Sequence, residues 1–485
     1  MISKKLHLAL AIISKRFLVF KVHFTVGFFF FLHTPLISLT QNNQCKVCED
    51  FLNSFNNHDV KSLKKCFPFY LRPFINDKLL ENHFQQEERY GKYSEYILTE
   101  FDSLKNQYKY KTNFNKDLVK TINYGFTLTK SGKINGVSKH DDIYSFPSKN
   151  LSEIYSTKSV TEILEEDFPS GFYGSVVFVD SDNSFKSYHY DNNTGLINNS
   201  TLYNLASCSK QFTALAILKL IEEEKLNMND DVSKFFPFLQ NQNVKLKDLI
   251  YHTSGLKDNL DVFENSKKID KILNNNEVIE LYGANFKKLK FSPGSRFDYS
   301  NTNYLLMAHI VEVVTGEFFP DFIDKNFFTP ANMDSTMAIY NDSIKSVALK
   351  GQVKILNQYE NEEESLKYFE FNYGDAGVYS NVSDLVKWEL SLKENLIFSK
   401  EQLDYAYTEN DLGPSHYAYA FALFTLTHDN FGKVVFHGGR WPKEECMFYR
   451  FLETGQTVII LSKQTRGTDD ISNSAKKLSL HFIEH

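Results

Sequence analysis

The sequence predicts an α/β chain in two folded parts: a small α+β domain, then a larger domain in which an antiparallel sheet is flanked by helices and carries a mainly helical subdomain. Three observations predict this. Apolar, β-branched runs stand near both ends of residues 161–485, at Gly174-Ser175-Val176-Val177-Phe178-Val179-Asp180 and Gln456-Thr457-Val458-Ile459-Ile460-Leu461. The long stretch between them is mostly helical in pattern. Residues 41–140 place helix-like segments first and alternating, strand-like segments after. Strands at both ends with helices inserted between them imply a sheet closed by the two chain ends.

Residues 1–40 come first. Lys4, Lys5, Lys15, Arg16 and Lys21 precede an apolar run from Val26 to Leu39, and polar Gln41-Asn42-Asn43 follows. That order is the pattern of a secretory signal. The run is shorter than the ~20 residues a spanning helix needs, and Pro35 interrupts it. Cleavage near residue 41 is expected; the alternative is an uncleaved N-terminal anchor. Either way the chain is expected outside the cytoplasm, periplasmic or extracellular, with membrane contact only through such an anchor.

The small domain follows at 41–140. Val47–Phe55 and Val60–Phe67 suggest two short helices around Asn56-Asn57-His58-Asp59, with a third near Lys78–Tyr90. Strand-like segments then run at 96–98, 108–114, 118–128 and 133–137. This order resembles the nuclear-transport-factor-two-like superfamily, which implies a curved sheet wrapped on helices. No titratable cluster here asks for catalysis, so an accessory role is expected. Residues 141–160 are polar and read as a linker. In the larger domain, Ser184–Tyr190 is expected to pair with the first strand through the turn at 180–183. A final helix is expected over Asp470–Ile483.

Composition supports a folded protein of 485 residues, 42% hydrophobic and 15% aromatic. The net charge of −6 and the lack of a basic stripe argue against a nucleic-acid partner. Of the five cysteines, Cys45 and Cys48 form a C-x-x-C pair with no second ligand pair or thioredoxin-like context. A structural disulfide among Cys45, Cys48 and Cys66 is expected instead. Cys208 is expected to be a small buried core residue. No metal or organic cofactor is implied.

The chemistry begins at Ser207-Cys208-Ser209-Lys210. The segment behind it, from Gln211 to Ile221, is apolar on nearly every face and predicts a buried helix. Residues three apart share a helix face, so the Lys210 amine can reach the Ser207 hydroxyl. The helix N-terminus favours a developing anion at the same place. A serine hydroxyl needs a base to become a nucleophile, and a desolvated lysine can serve. The same tetrapeptide spacing recurs at Ser62–Lys65, Ser254–Lys257 and Ser474–Lys477, where a surface or capping serine is expected. Only Ser207 opens a long buried helix.

The surrounding segment, Tyr203-Asn204-Leu205-Ala206-Ser207-Cys208-Ser209-Lys210-Gln211-Phe212-Thr213-Ala214, resembles the nucleophile segment of the serine β-lactamase and penicillin-binding-protein family. The class C-like branch, with its D-alanyl-D-alanine carboxypeptidases and esterases, is the nearest in pattern. Glu224 to Pro237 and Leu249-Ile250-Tyr251-His252-Thr253-Ser254-Gly255-Leu256 resemble that branch too. The family's Tyr-x-Asn element occurs twice, as Tyr299-Ser300-Asn301 and Tyr379-Ser380-Asn381. The surround of the first resembles the catalytic element. The second lies in a Gly-rich turn before a helix capped by Ser383, which assigns Tyr379 to packing. His437-Gly438-Gly439 resembles the family's pocket-lining triplet.

The resemblance covers roughly residues 165–485 and implies a β-lactamase/transpeptidase-like fold. It implies Ser207, Lys210 and Tyr299 as catalytic residues. Asn301 would hold Lys210 and the substrate amide. His437 and Gly439 would line the pocket, and the Arg440 main-chain N–H would complete an oxyanion hole with that of Ser207. The expected substrate is a small molecule or peptide carrying an amide or ester, such as a cell-wall peptide. One departure stands out: after Gly439 the chain runs Arg440-Trp441-Pro442-Lys443-Glu444-Glu445-Cys446-Met447, where this branch has a Pro-Gly turn and small residues. A bulkier, more charged pocket rim is expected, and Arg440 becomes a candidate for a substrate carboxylate. The same departure motivates the alternative, an inactive binding or sensor protein that kept the fold.

Overall fold

The computed structural model describes residues 46–56, 60–66, 93–102, 107–114, 121–128, 134–141 and 154–483, the last apart from 192–193, 261–272, 341–371, 411–417, 429–430, 442–443 and 465–467. The expected signal segment and the helix expected near Lys78–Tyr90 lie outside these residues. Among the described residues no helix is long and apolar enough to cross a membrane.

Two helices, α1 (Lys46–Asn56) and α2 (Val60–Lys65), precede a four-stranded antiparallel sheet of β1 (Tyr93–Asp102), β2 (Gln107–Phe114), β3 (Thr121–Leu128) and β4 (Ile134–Asp141), in that spatial order. Each strand pairs with the next along the chain. Cys48 is disulfide-bonded. Cys66 is buried with its thiol on the Ser62 carbonyl at 3.7 Å, not in a disulfide, which takes it out of the expected bridge.

The larger part is built on a seven-stranded antiparallel sheet. Its strands are β5 (Gly174–Val179), β6 (Phe185–Tyr190), β10 (Ala418–Tyr419), β11 (Phe424–His428), β12 (Gly432–Trp441), β13 (Glu444–Phe451) and β14 (Gln456–Ser462), in the order β10-β11-β12-β13-β14-β5-β6. The pairing of β14 with β5, Ile459 opposite Val177, joins the two ends of the domain as the apolar runs predict. Alternation along each strand divides the core. Val177, Phe448 and Ile459 face one cluster, and Val176, Tyr449 and Ile460 face the other. The second cluster is covered by α3 (Val160–Asp167) and the C-terminal α11 (Thr468–Ile483).

The first cluster carries the helical subdomain. It contains α4 (Lys210–Glu222), α5 (Leu246–Ile250), α6 (Asn275–Asn285), α7 (Asn301–Thr315), α8 (Phe319–Ile323), α9 (Val382–Lys393) and α10 (Lys400–Ala406). A small sheet of β7 (Tyr203–Asn204), β9 (Val378–Ser380) and β8 (Met337–Ala338) runs beside it. From Lys210 to Leu220 only Lys219 of α4 is not buried, as its all-round apolar pattern predicts. Phe212, fully buried against Phe328 and Trp388, alone contributes about 1.5–3 kcal/mol. The helix expected to be capped by Ser383 is instead capped by Asn381, whose side chain accepts the Asp384 N–H. The chain leaves β9 directly into this turn, so the helix begins at Val382 and Ser383 already lies inside it.

Candidate active site

Ser207 sits in a single 3-10 turn, Ala206–Ser209, that runs straight into α4. The turn is entered with strain: Ala206 has φ +43°, a region that L side chains seldom occupy. The Asn204 carboxamide oxygen holds this bend by accepting the Ala206 N–H at 2.8 Å. The Ser207 side chain stays half-accessible while Cys208 and Lys210 on either side of the turn are buried.

Lys210 is fully buried and uses all three of its Nζ protons. It donates to Ser207 Oγ at 3.1 Å, to Asn301 Oδ1 at 2.7 Å and to the Asp375 carbonyl at 2.6 Å. Three separate segments therefore converge on one amine. Burial lowers its pKa to about 8, against a smaller opposing effect of the Asp375 and Asp258 carboxylates.

Asn301 is the first residue of α7, so its side chain projects from the helix mouth toward Lys210. Its main-chain N–H donates to Asp258 Oδ2 at 2.7 Å. Tyr299 precedes it by two residues. The lysine Nζ lies 5.1 Å from the centre of the Tyr299 ring. The phenol oxygen is sealed from solvent without a hydrogen bond of normal geometry, and the Ser207 hydroxyl is the strongest polar influence on it. Burial pushes this phenol well above its ordinary range, so at neutral pH it is a proton donor.

His252 was not singled out as a site residue, yet it braces the tyrosine. Its ring lies 4.2 Å from that of Tyr299, and its Nδ1 accepts from the Ser300 N–H at 3.2 Å and from Asn303 Nδ2 at 2.9 Å. Burial and then the nearby Lys210 charge hold it neutral. Asp258 and Asp375 were also missed. Their signal was present in Leu256-Lys257-Asp258 and in Gly374-Asp375-Ala376-Gly377, but nothing in a linear reading says that these loops meet at Lys210.

His437 lies on β12 on the nucleophile side of the sheet. Its Nδ1 is 2.6 Å from the Gly438 carbonyl and its Nε2 is 3.2 Å from the Tyr419 hydroxyl. Burial, reinforced by Lys210, lowers it to about 3, so it is a neutral imidazole. Gly439 presses on the nucleophile turn. A Cβ there would overlap the Leu205 carbonyl and stand 2.7 Å from Cys446 Sγ and 3.1 Å from Ser207 N. Only glycine lets the strand approach the Ser207 main chain this closely.

The segment beyond Gly439 differs from the expectation. Glu444 and Glu445 are buried, not displayed on the rim. Glu444 pairs with buried Lys463 and accepts the Asn204 N–H at 3.1 Å. Glu445 stands opposite Arg440 in the β12–β13 register and lies 3.7 Å from its guanidinium. Strand alternation explains the placement: Cys446 and Phe448 face the nucleophile side, so Glu445 and its partner Arg440 face the other. The Arg440 side chain, 59% exposed, therefore points away from Ser207, although its main chain continues the edge beside Gly439.

Two of the other Ser-x-x-Lys serines, expected at the surface or as caps, are instead buried and hydrogen-bonded within the core. Ser254 Oγ donates to Asn303 Oδ1 at 2.6 Å, and Ser474 Oγ donates to Asp167 at 2.6 Å. Tyr379 is buried on β9, where its hydroxyl accepts from Asn204 Nδ2 at 3.1 Å. Among the described residues no group of three His, Cys, Asp or Glu side chains could hold a metal ion.

The family model described as Beta-lactamase matches residues 170–481, from just before β5 into α11. The chain belongs to the beta-lactamase family. Among curated beta-lactamase-like relatives, Penicillin-binding protein 4* of Bacillus subtilis (strain 168) is 29% identical over 281 residues, covering 56% of this chain and 62% of its own length. Protein flp of Staphylococcus aureus (strain MRSA252) is 28% identical over 355 residues, covering 68% of this chain and 65% of its own. The chain thus spans just under two thirds of the length of these relatives. The penicillin binding protein of Bacillus halodurans shares the beta-lactamase fold, with TM-score 0.53, 19% identity and coverage of 66% of this chain and 100% of that one. So does the D-amino acid amidase of Ochrobactrum anthropi SV3, with TM-score 0.52, 19% identity and coverage of 67% and 99%. The beta-lactamase match begins at residue 170 and does not reach the β1–β4 sheet.

Proposed function

We propose that this chain is an exported serine hydrolase that cleaves a small amide or ester through an acyl-enzyme on Ser207. The observation that carries the reading is the convergence on Lys210: a buried amine 3.1 Å from a half-accessible serine hydroxyl, fixed by Asn301 and the Asp375 carbonyl. A lysine lowered to about 8 is partly neutral at physiological pH and can take the Ser207 proton. Tyr299, held as a neutral phenol with an unused hydroxyl, is suited to pass a proton to the leaving group and to be reprotonated from Lys210. The tyrosine thus serves as a donor and the lysine as the base.

In the first half-reaction Ser207 Oγ bonds to the substrate carbonyl carbon and its proton moves to Lys210. The oxyanion is held by the main-chain N–H groups of Ser207 and Arg440. Collapse breaks the bond to the amine or alcohol, which leaves with the proton relayed by Tyr299. Water then attacks the ester carbonyl and gives a proton to neutral Lys210; the bond from the carbonyl carbon to Ser207 Oγ breaks, and Ser207 takes its proton back from the Lys210 ammonium. Asn301 and the pocket face of His437 position the amide or ester. The family and the penicillin-binding relatives make penicillins and D-alanyl peptides the first substrates to try, and the amidase neighbour adds D-amino acid amides.

The test is covalent labelling of the purified protein with a fluorophosphonate and with a fluorescent penicillin. Labelling that is lost in Ser207→Ala supports the hydrolase. A wild type labelled by neither probe, and inert on a panel of D-Ala-D-Ala peptides, a cephalosporin and short-chain esters, would instead fit a binding or sensor protein.

A further inference from the structure

The turn at Gly374–Val378 is fastened to the Leu205–Thr213 segment at four points, two of them on α4. Thr213 Oγ1 donates to the Gly374 carbonyl at 2.7 Å, Lys210 Nζ to the Asp375 carbonyl at 2.6 Å, and the Val378 N–H to Ser209 Oγ at 3.1 Å. The Leu205 N–H donates to the Val378 carbonyl at 2.9 Å. Gly374 takes φ +99° and has Ala308 Cβ and the Tyr304 carbonyl where a side chain would stand, at 2.6 and 2.7 Å. The turn therefore has one position available, and in it the Asp375 main-chain carbonyl touches the Lys210 ammonium, which keeps the carboxyl of the same residue close by. Its Oδ1 is sealed from solvent and accepts no hydrogen bond.

A second carboxylate approaches from another segment. Asp258 lies between α5 and α6, and it accepts the Asn301 N–H at 2.7 Å and the Leu260 N–H at 2.9 Å. Two acidic residues from distant parts of the chain thus adjoin one buried ammonium, Asp375 through its carbonyl and Asp258 through Asn301, and the acylation scheme above gives neither carboxyl a task. We propose that Asp375, with Asp258 behind it, is a positioning residue that sets the charge state of Lys210 through its side-chain carboxyl. This rests on the reading of Lys210 as the base.

The electrostatics agree with the geometry. The Asp375 carboxyl interacts electrostatically with Lys210 on α4 and with Asp258, and it acts in turn on Tyr299. Burial raises Asp375 to about 6, Lys210 draws it back and Asp258 raises it further. Lys210 faces Asp375, Asp258 and Cys208, and its charge in turn disfavours protonation of His252 and His437. Tyr299 is pushed up by both carboxylates after burial. Removing the Asp375 charge takes away the largest attraction that keeps Lys210 protonated, so the amine should lose its proton at lower pH.

The experiment is an NMR titration of the full chain carrying ε-13C-lysine, with the Lys210 signal assigned by its loss in Lys210→Arg. The wild-type signal should titrate near pH 8. In Asp375→Asn its midpoint should fall by about half a unit or more, and in Asp258→Asn it should fall by less. Asn keeps the side-chain volume and the main-chain carbonyl contact, so a merely structural role predicts an unmoved midpoint. That result, in either carboxamide variant that folds, would overturn the proposal. The pH dependence of fluorophosphonate labelling should shift with the NMR midpoint. A lysine that titrates as described in a protein that no probe labels would leave the electrostatic assignment standing and remove the hydrolase reading.

Discussion

Gly439 lies against the Leu205 carbonyl so closely that any side chain there would overlap it. This contact sets the distance between β12 and the Ser207 main chain, where the two N–H groups of the proposed oxyanion hole would converge. Gly439→Ala should therefore push strand and turn apart. The expected loss in kcat/KM is about 10²–10³-fold, the cost of one oxyanion donor. Burst kinetics with a chromogenic ester would place the loss in acylation, and retention of the wild-type acylation rate would disprove the assignment.

Lys210 should govern the pH profile. The neutral amine is the active form, so kcat/KM should rise with pH through a midpoint near 8. Lys210→Met should abolish the limb and lower the rate by about 10²–10⁴-fold.

The same lysine should cost stability. Unfolded, it holds its proton up to 10.5; folded, only to about 8. Between those values the unfolded chain binds more protons, so stability rises with pH across that window, and below it the full penalty applies. Lys210→Met should accordingly gain on the order of 1–3 kcal/mol at pH 7. Urea melts of the two proteins at pH 7 and pH 10 check both sign and window: the gain should shrink at the higher pH.

A buried pair ties the nucleophile helix to the sheet. Arg450 on β13 donates to both oxygens of Glu389 on α9 at 2.7 Å and to Gln211 Oε1 at 2.7 Å. Gln211 Nε2 in turn donates to the Cys208 carbonyl at 2.9 Å. Glu389→Ala would leave the guanidinium buried without its carboxylate, and denaturant melts should show a loss of about 3–5 kcal/mol. Replacing both residues by Met should recover most of it. A double variant no better than the single one would refute the account.

Arg440 offers a test by what should not happen. Because its side chain faces Glu445 and points away from Ser207, Arg440→Ala should change kcat/KM by less than about threefold, within the range of a surface ion pair. A selective loss on substrates bearing a free carboxylate would place the guanidinium in the cleft.

The helix cap falls on Asn381 and not on the expected Ser383. Asn381→Ala should cost about 1 kcal/mol, since its side chain accepts the Asp384 N–H, and Ser383→Ala should cost less than about 0.5 kcal/mol. Thermal melts of the two variants decide it. Ser383 is a residue type common at caps, but the helix starts two residues earlier than a Ser383 cap implies.

Local chemistry made much of this protein legible from its residues alone. The apolar runs at 174–180 and 456–461 announced the central sheet and its closure, because burial of both faces demands β-branched residues. Ser207 and Lys210 were readable because three-residue spacing on a buried helix is a local geometric fact. Tyr299 and His437 were found through motif order, and the structure brings both to the same cleft.

What the sequence could not decide is what depends on contacts between distant segments. Asp258 and Asp375 come to the surroundings of Lys210, one through Asn301 and the other through its main-chain carbonyl, only because α7 and the Gly374–Val378 turn pack onto one helix, and a linear reading carries no distance between residues 117 positions apart. The direction of Arg440 and the burial of Glu444 and Glu445 follow from strand register, where a shift of one residue exchanges the faces of a sheet. Residue type established which groups could do chemistry; packing established which of them face the reacting atoms.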